Sequence, residues 1–394
     1  MNSTDIFVIG AARTAIGTFG GALKDVPLSQ LATTAVREAI SKSGVSPDAI
    51  EHLVMGNVIP TEPRDAYLSR VAAIESGIPQ ETPAFNVNRL CGSALQAIIS
   101  AAQTLSLGDA QIAVGAGAES MSRGPYFAPA TRWGARMGNV PTLDYMLGIL
   151  HDPFHKIHMG ITAENVAARE GVTREMQDAL ALQSQQRAAH AIAEGRFTAQ
   201  IVPVEIQTRK GVFVFDTDEH VRGDVTIEQL SKMKPAFKPD GSVTAGNASG
   251  VNDGAAAVVL ATGNAVRERG LTPIARLVSY GHAGVDPRLM GLGPIPASRL
   301  ALKRAGLTIS DLDVVESNEA FAAQACAVTR ALELDPAKVN PNGSGISLGH
   351  PVGATGAIIT IKALYELQRI KGRYALVTMC IGGGQGIAAI FERV

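Results

Sequence analysis

Two cysteines sit where a thiol could do acyl-thioester chemistry. Cys91 lies in Asn88-Arg89-Leu90-Cys91-Gly92-Ser93, and Cys380 precedes the run Ile381-Gly382-Gly383-Gly384-Gln385-Gly386. Between them in the chain come Asn318-Glu319-Ala320-Phe321 and Gly349-His350-Pro351. A thiolate can carry an acyl group, and a base can remove a proton beside a thioester carbonyl. Small neighbours let backbone N–H groups approach an oxyanion.

Each residue has more than one reading. Cys91 is expected to open a helix, where the dipole and free N–H groups would lower the thiol below its ordinary value. A lone cysteine on an apolar helix is equally a buried structural residue. His350, with Pro351 expected at a first helical position, can take the Cys91 proton or cap a turn. Cys380, at a strand end before glycines, can act as an acid or base. The glycine run itself cradles phosphate or merely turns, and no Lys-Ser/Thr follows it to make a P-loop. Asn318 follows a strand and can orient a water, donate to an oxyanion or simply turn the chain. His151, His155 and His158 have the spacing of a helical metal site, but Pro153 interrupts it, and no metal is expected. The pairs Arg132/Arg136 and Arg209/Lys210 read as solvated cations or phosphate contacts.

These groups need a scaffold. The chain has 394 residues, 46% hydrophobic, enough for two or three lobes. Residues 5–11, 52–55 and 111–115 read as strands, with helices at 28–44 and 91–107. This alternation predicts an α/β protein with a largely parallel sheet covered on both faces. The order recurs: 43–54 resembles 305–315, the helix opened by Cys91 corresponds to one near His350, and 111–115 corresponds to 374–379. The period indicates a duplicated domain. Residues 117–246 fit neither half and read as an insert packed over the first half, with a long amphipathic helix at 174–194.

Composition narrows the partners. Thirty-five basic against 36 acidic residues give a net charge of -1, and aromatics make up 5%, so neither nucleic acid nor membrane is expected. No apolar run is expected to reach membrane-spanning length. The start, Met1-Asn2-Ser3-Thr4-Asp5, has no basic or apolar leader, the end is no peroxisomal address, and three free cysteines suit a reducing compartment, so a cytoplasmic location is expected.

Together, Leu90-Cys91-Gly92-Ser93, Glu119-Ser120-Met121-Ser122, Gly246-Asn247-Ala248-Ser249-Gly250, Asn318-Glu319-Ala320-Phe321, Gly349-His350-Pro351 and Cys380-Ile381-Gly382-Gly383-Gly384 resemble the motifs of the thiolases, in order and across nearly the whole chain. The chain is most similar to bacterial β-ketothiolases (acetyl-CoA acetyltransferases) of the broad-specificity type linked to polyhydroxyalkanoate precursors. The resemblance implies two βαβαβαββ halves in a layered α-β-α-β-α core. The halves would be 1–120 plus 247–270 and 271–394, with 121–246 as a loop domain. It implies ping-pong catalysis with Cys91 as the acylated nucleophile, His350 as its base and Cys380 as the acid or base at the α-carbon. One oxyanion hole would be His350 with a water on Asn318, the other the N–H groups of Cys91 and Gly382. Ser249, His158, Met290, Phe237 and Arg222 would contact coenzyme A, a substrate here and not a cofactor. A homotetramer built through residues 124–140 is implied as well. Ala94, Ala116 and Ser317 depart from common family residues; Ala94 bears on acyl-chain preference. A degradative 3-ketoacyl-CoA thiolase and a non-catalytic CoA or lipid carrier are the competing readings.

Overall fold

A computed structural model describes residues 5–394; Met1–Thr4, part of the leader stretch read above, lie outside the described residues. The main strands are β1 (Ile6–Arg13), β2 (His52–Gly56), β3 (Ala84–Val87), β4 (Ile112–Ser120), β5 (Asn252–Thr262), β6 (Ala275–Gly284), β7 (Val314–Ser317), β8 (Tyr374–Ile381) and β9 (Gln385–Arg393). They hydrogen-bond in the order β3-β2-β4-β5-β1-β6-β9-β8-β7, so the two halves mirror each other about the β1–β6 junction. That junction is short, running only from Ile6↔Leu277 to Val8↔Ala275.

The expected parallel sheet is corrected. β2 runs parallel to β3 and β4, and β7 to β8. β5 is antiparallel to β1 and β4, and β9 to β6 and β8. The reason is the connections. Parallel neighbours need a crossover, whereas β8 and β9 form a hairpin at Gly383 and Gly384, which adopt φ of +80° and +83°. β5 returns from the long insert, which imposes no crossover geometry.

Side-chain alternation builds the layers. On β5, Ala256, Val258 and Leu260 face one core, and Ala257, Val259 and Ala261 face another. On β9, Ile387, Ala389 and Phe391 share the first of these cores, while Ala388 and Ile390 face a third. The shared core holds helices α2 (Ser93–Leu107) and α7 (Thr355–Ile370) between the two half-sheets. Helix α1 (Leu28–Ser43) covers the outer face of the first half, and α5 (Pro294–Ala305) that of the second. The result is α-β-α-β-α. The span Leu90–Leu107 is, by length and composition, apolar enough to cross a membrane, contrary to expectation, but most of it is buried as this inner helix.

The insert packs on both halves, not the first alone. Its hairpin, Val204–Thr208 with Gly211–Phe215, puts Val204 and Phe215 into the core beneath α1. Helix α3 (Met159–Glu170) and helix α4 (Arg174–Ala193) instead pack against α6 (Ala322–Ala331) of the second half. The buried face of α4 is Gln177, Asp178, Ala181, Ser184, Gln185, Ala188 and Ala191, at helical spacing but small and polar. It is therefore not amphipathic in the expected sense. Its polar groups are matched instead: Asn247 Nδ2 donates to Asp178 (2.9 Å) and Ser184 Oγ to Glu319 (2.6 Å).

Candidate active site

Cys91 lies in a tight turn just before α2, whose N-cap is Gly92, and not in the first helical turn as expected. Leu90 adopts φ +46°, and Ser93 holds the turn by donating from Oγ to Leu90 O (2.6 Å) and accepting from Arg89 N (2.9 Å). Gly92 lies against side chains of the second half: a Cβ there would stand 2.6 Å from Ile381 Cδ1. The turn is thus pressed against the end of β8, which carries Cys380 and leads to Gly382.

The thiol of Cys91 is pushed up to about 11, mainly by burial. Backbone N–H groups of Gly382 and Cys91 pull the other way, and the Glu119 carboxyl adds to the rise. The expected lowering at a helix start is overturned because desolvation exceeds the pull of these donors. Those two N–H groups both act on the Cys91 sulfur. Cys380 is fully buried, and its thiol is raised by burial and by Cys91.

His350 is held from three sides. Gly349 at φ +106° turns the chain so closely over Asn252 that a Cβ would lie 2.4 Å from Asn252 Cγ. Asn252 Oδ1 accepts from His350 N (2.9 Å), while its Nδ2 donates to Gly17 O (3.0 Å). On the ring, Nδ1 is 2.7 Å from Thr355 Oγ1. Thr355 Oγ1 donates its one proton to Pro351 O (2.9 Å), so it must accept from the imidazole. The network therefore assigns the proton to Nδ1 and leaves Nε2 as an acceptor. Nε2 faces Asn318 Nδ2 at 3.4 Å. Burial pushes His350 down to about 4, so the imidazole is neutral. Pro351 is not helical: its carbonyl accepts from Ala354 N (2.8 Å) and Thr355 N (3.0 Å), forming the turn before α7.

Cys91, His350 and Gly382 line one cavity of about 260 Å³. Ser249, His158, Phe237 and Met290 line it too. His158 stacks on Phe237 (4.7 Å, 19°) and caps α3 by accepting Gly160 N on Nδ1 (3.0 Å). A Cβ on Gly160 would meet the Phe237 ring at 2.3 Å, so the glycine sets that stack. Asn318 and Cys380 lie behind the wall, Asn318 through His350 and Cys380 beside Cys91. Arg222 is not brought to the wall: its backbone N donates to Gln185 Oε1 (2.8 Å), which ties its segment to α4. His151 stands edge-on to His158 at 5.1 Å, whereas His155 bonds Asp152 (2.9 Å), so the three histidines do not converge.

Sequence reasoning missed Thr355 and Asn252, which orient His350, and the structural part of Glu119. This buried carboxyl accepts from Asn57 Nδ2 (2.9 Å), Ile59 N (3.0 Å), Val58 N (3.1 Å) and Gly353 N (2.8 Å), tying the His350 turn to the first half. Burial raises it to about 8. The apolar wall of Val58, Leu90, Met121, Met146 and Val352 also went unread, because it is drawn from five separate segments.

The fold and this two-thiol, one-imidazole site define a thiolase. The family model for the thiolase N-terminal domain matches residues 6–264 and that for the C-terminal domain residues 271–393, so the chain belongs to the thiolase family. It is 65% identical over 391 residues to the Beta-ketothiolase BktB of Cupriavidus necator, covering 99% of each chain. It is 46% identical to the human mitochondrial 3-ketoacyl-CoA thiolase, covering 98% of each. Among solved structures, human mitochondrial 3-ketoacyl-CoA thiolase superposes with a TM-score of 0.97 at 44% identity, covering 100% of both chains. The Bacillus anthracis acetyl-CoA acetyltransferase gives 0.97 at 45% identity, covering 99% of both.

Proposed function

We propose that the protein is an acetyl-CoA acetyltransferase, or β-ketothiolase. It joins acetyl-CoA to a second short acyl-CoA, giving 3-ketoacyl-CoA and CoA, and runs the reverse thiolysis. The observation that carries this is neutral His350, with Nε2 unprotonated, and the Cys91 thiol on one cavity, with a second thiol, Cys380, immediately behind.

In the first half-reaction the Cys91 proton passes to His350 Nε2 as sulfur attacks the thioester carbonyl. The carbonyl oxygen is met by the N–H groups of Cys91 and Gly382. The C–S bond to CoA breaks, and the CoA sulfur takes the proton from His350, leaving acyl-Cys91. In the second, the Cys380 thiol passes its proton to His350 Nε2, and its sulfur removes a proton from the α-carbon of acetyl-CoA. The enolate oxygen is held by the Nε2–H of His350 and a water on Asn318, whose buried Oδ1 has no protein partner. The carbanion attacks acyl-Cys91, the C–S bond breaks, and the Cys91 sulfur takes the proton from His350, leaving the α-proton on Cys380. Ser249, His158, Phe237 and Met290 are placed to contact coenzyme A, and Arg222 would need its segment to shift to do so.

Identity favours the β-ketothiolase reading over a degradative thiolase: 65% to the former named relative against 46% to the latter. A carrier would have no use for an oriented base at the thiol. We also propose a cytoplasmic homotetramer, supported by the exposure of Tyr126, Trp133 and Met137 on the 124–140 segment. Sedimentation at several concentrations reads the assembly.

The test is CoA-dependent cleavage of acetoacetyl-CoA, 3-ketovaleryl-CoA and a medium-chain 3-ketoacyl-CoA, with peptide mass spectrometry for acyl-Cys91. Cleavage of the two short substrates, lost in Cys91→Ala together with the adduct, is the expected result. Preference for the medium chain would reassign it as degradative, and no cleavage or adduct would overturn the proposal.

A further inference from the structure

A second cavity, of about 360 Å³, opens on the far side of the Asn318 motif. Ser317 and Glu319 line it, while Asn318 between them meets His350 on the first cavity. Its walls are aliphatic: Met176 and Leu180 from α4, Leu334, Pro336 and Val339 from the segment after α6. Cys326 of α6 also lines it, its thiol of intermediate exposure and turned towards Met176 O at 3.7 Å.

Two features in this cavity point to a ligand. Ser317 is 2% exposed, and its Oγ has no hydrogen-bond partner, although its backbone is bonded to Asn340 in both directions (2.9 and 2.8 Å). A buried hydroxyl left without a partner is unfavourable. Second, Arg187 and Arg330 line the cavity without a carboxylate in ion-pair reach among the described residues. Arg187 donates to the carbonyls of Val339 (2.6 Å), Asn340 (3.5 Å) and Pro336 (3.0 Å), and Arg330 to that of Glu170. Glu319, on the same wall, acts on Arg187 through space but forms no ion pair with it. Glu319 is already engaged by Ser184 and Asn340 (2.8 Å), and Glu333 is exposed at the rim.

We propose that this cavity binds a short aliphatic carboxylate. The chain lies on Met176, Leu180, Leu334 and Val339, and the carboxylate accepts from Ser317 Oγ and meets the two guanidiniums. Aliphatic walls without an aromatic ring suit an alkyl chain and offer nothing to stack a base or ring on. The ligand is recognised beside Asn318 yet outside the acyl-transfer cavity, so its binding does not depend on the reaction proposed above.

The test uses hexanoate on the full-length protein. N-ethylmaleimide labelling of each cysteine is followed by peptide mass spectrometry with hexanoate, with hexylamine and with neither. Hexanoate is expected to slow labelling of Cys326 several-fold and to leave the rate at Cys91 unchanged, while hexylamine protects neither. Equilibrium dialysis of labelled hexanoate reads the same site without the thiol. There Ser317→Ala is expected to weaken binding roughly five- to tenfold, and Arg187→Gln to weaken it further. Failure of hexanoate to bind or protect, equal protection by hexylamine, or parallel slowing at Cys91 would each overturn the proposal.

Discussion

Thr355 Oγ1 accepts from His350 Nδ1 at 2.7 Å and gives its own proton to Pro351 O at 2.9 Å. One hydroxyl therefore fixes both the tautomer and the tilt of the His350 imidazole, and it belongs to the first residue of α7. Helix α7 sits between the two half-sheets, so the rigidity of the inner layer is passed directly to the base.

Thr355→Val keeps the shape and removes the acceptor. The imidazole is then free to place its proton on either nitrogen. Thiolysis kcat is expected to fall on the order of tenfold, about 1.4 kcal/mol of barrier, with little change in KM. Thr355→Ser restores the acceptor and should recover most of the rate. Equal loss in Val and Ser variants would mean that the methyl, not the hydroxyl, matters.

Much of this site was legible in the sequence because its chemistry is written in rare residues. Cys91, His350, Cys380 and Asn318 stand in short small-residue runs that no packing rule demands. Their supports were not legible. Thr355 and Asn252 look like ordinary cap and turn residues until the fold brings Asn252, at the start of β5, under Gly349. The same distance effect hid the strand directions. Alternating helices and strands announce crossovers, but nothing local in 252–262 says that β5 enters antiparallel after an insert of more than a hundred residues. For α4, the face was found by spacing and its character was misread, since buried Asp178 and Ser184 become favourable only once Asn247 and Glu319 are there to meet them.

Two buried titrating groups pull stability in opposite directions with pH. His350 falls from 6.5 to about 4 on folding, so the unfolded chain binds the extra proton between these values; its contribution is present above 6.5 and lost as pH falls towards 4. Glu119 rises from 4.5 to about 8, so the folded chain holds the extra proton; its contribution is present below 4.5 and lost as pH rises through 8. Urea midpoints measured across this range should show Glu119→Gln flattening the alkaline side and His350→Asn flattening the acid side. An unchanged alkaline slope in Glu119→Gln would show that this carboxyl is already ionised in the folded protein.

Gly356, in the first turn of α7, carries the contact between the two inner helices. A Cβ there would stand 2.3 Å from Leu95 N of α2. The clash is with backbone, so it cannot be relieved by a rotamer and must push the helices apart. Gly356→Ala is expected to cost about 1–3 kcal/mol of stability. It should also lower kcat, because α2 and α7 carry Cys91 and His350 on the turns before them. Loss of stability with full activity would show that those turns are held independently of the helices.

The insert is pinned to the core by a fully buried ion pair. Arg13, near the end of β1, donates to Asp218 from both terminal nitrogens (2.7 and 2.9 Å), and both side chains are 0% exposed. Asp218 Oδ1 also accepts Ile16 N (2.9 Å), and Arg13 Nε donates to Gln200 (2.9 Å), so every nitrogen and oxygen of the two charged groups has a polar partner. Removing one partner strands the other charge: Asp218→Ala is expected to cost about 3–5 kcal/mol. Arg13→Met with Asp218→Leu removes both charges and should lose much less, since a buried pair exchanged for apolar groups is often near neutral. Because the 216–222 segment precedes Phe237 and Ser249, which line the Cys91 cavity, the single variant should also raise KM for acyl-CoA more than it lowers kcat. Thermal unfolding with steady-state kinetics on the three variants separates these effects, and a double variant as unstable as the single would show that the hydrogen bonds, not the stranded charge, hold the insert in place.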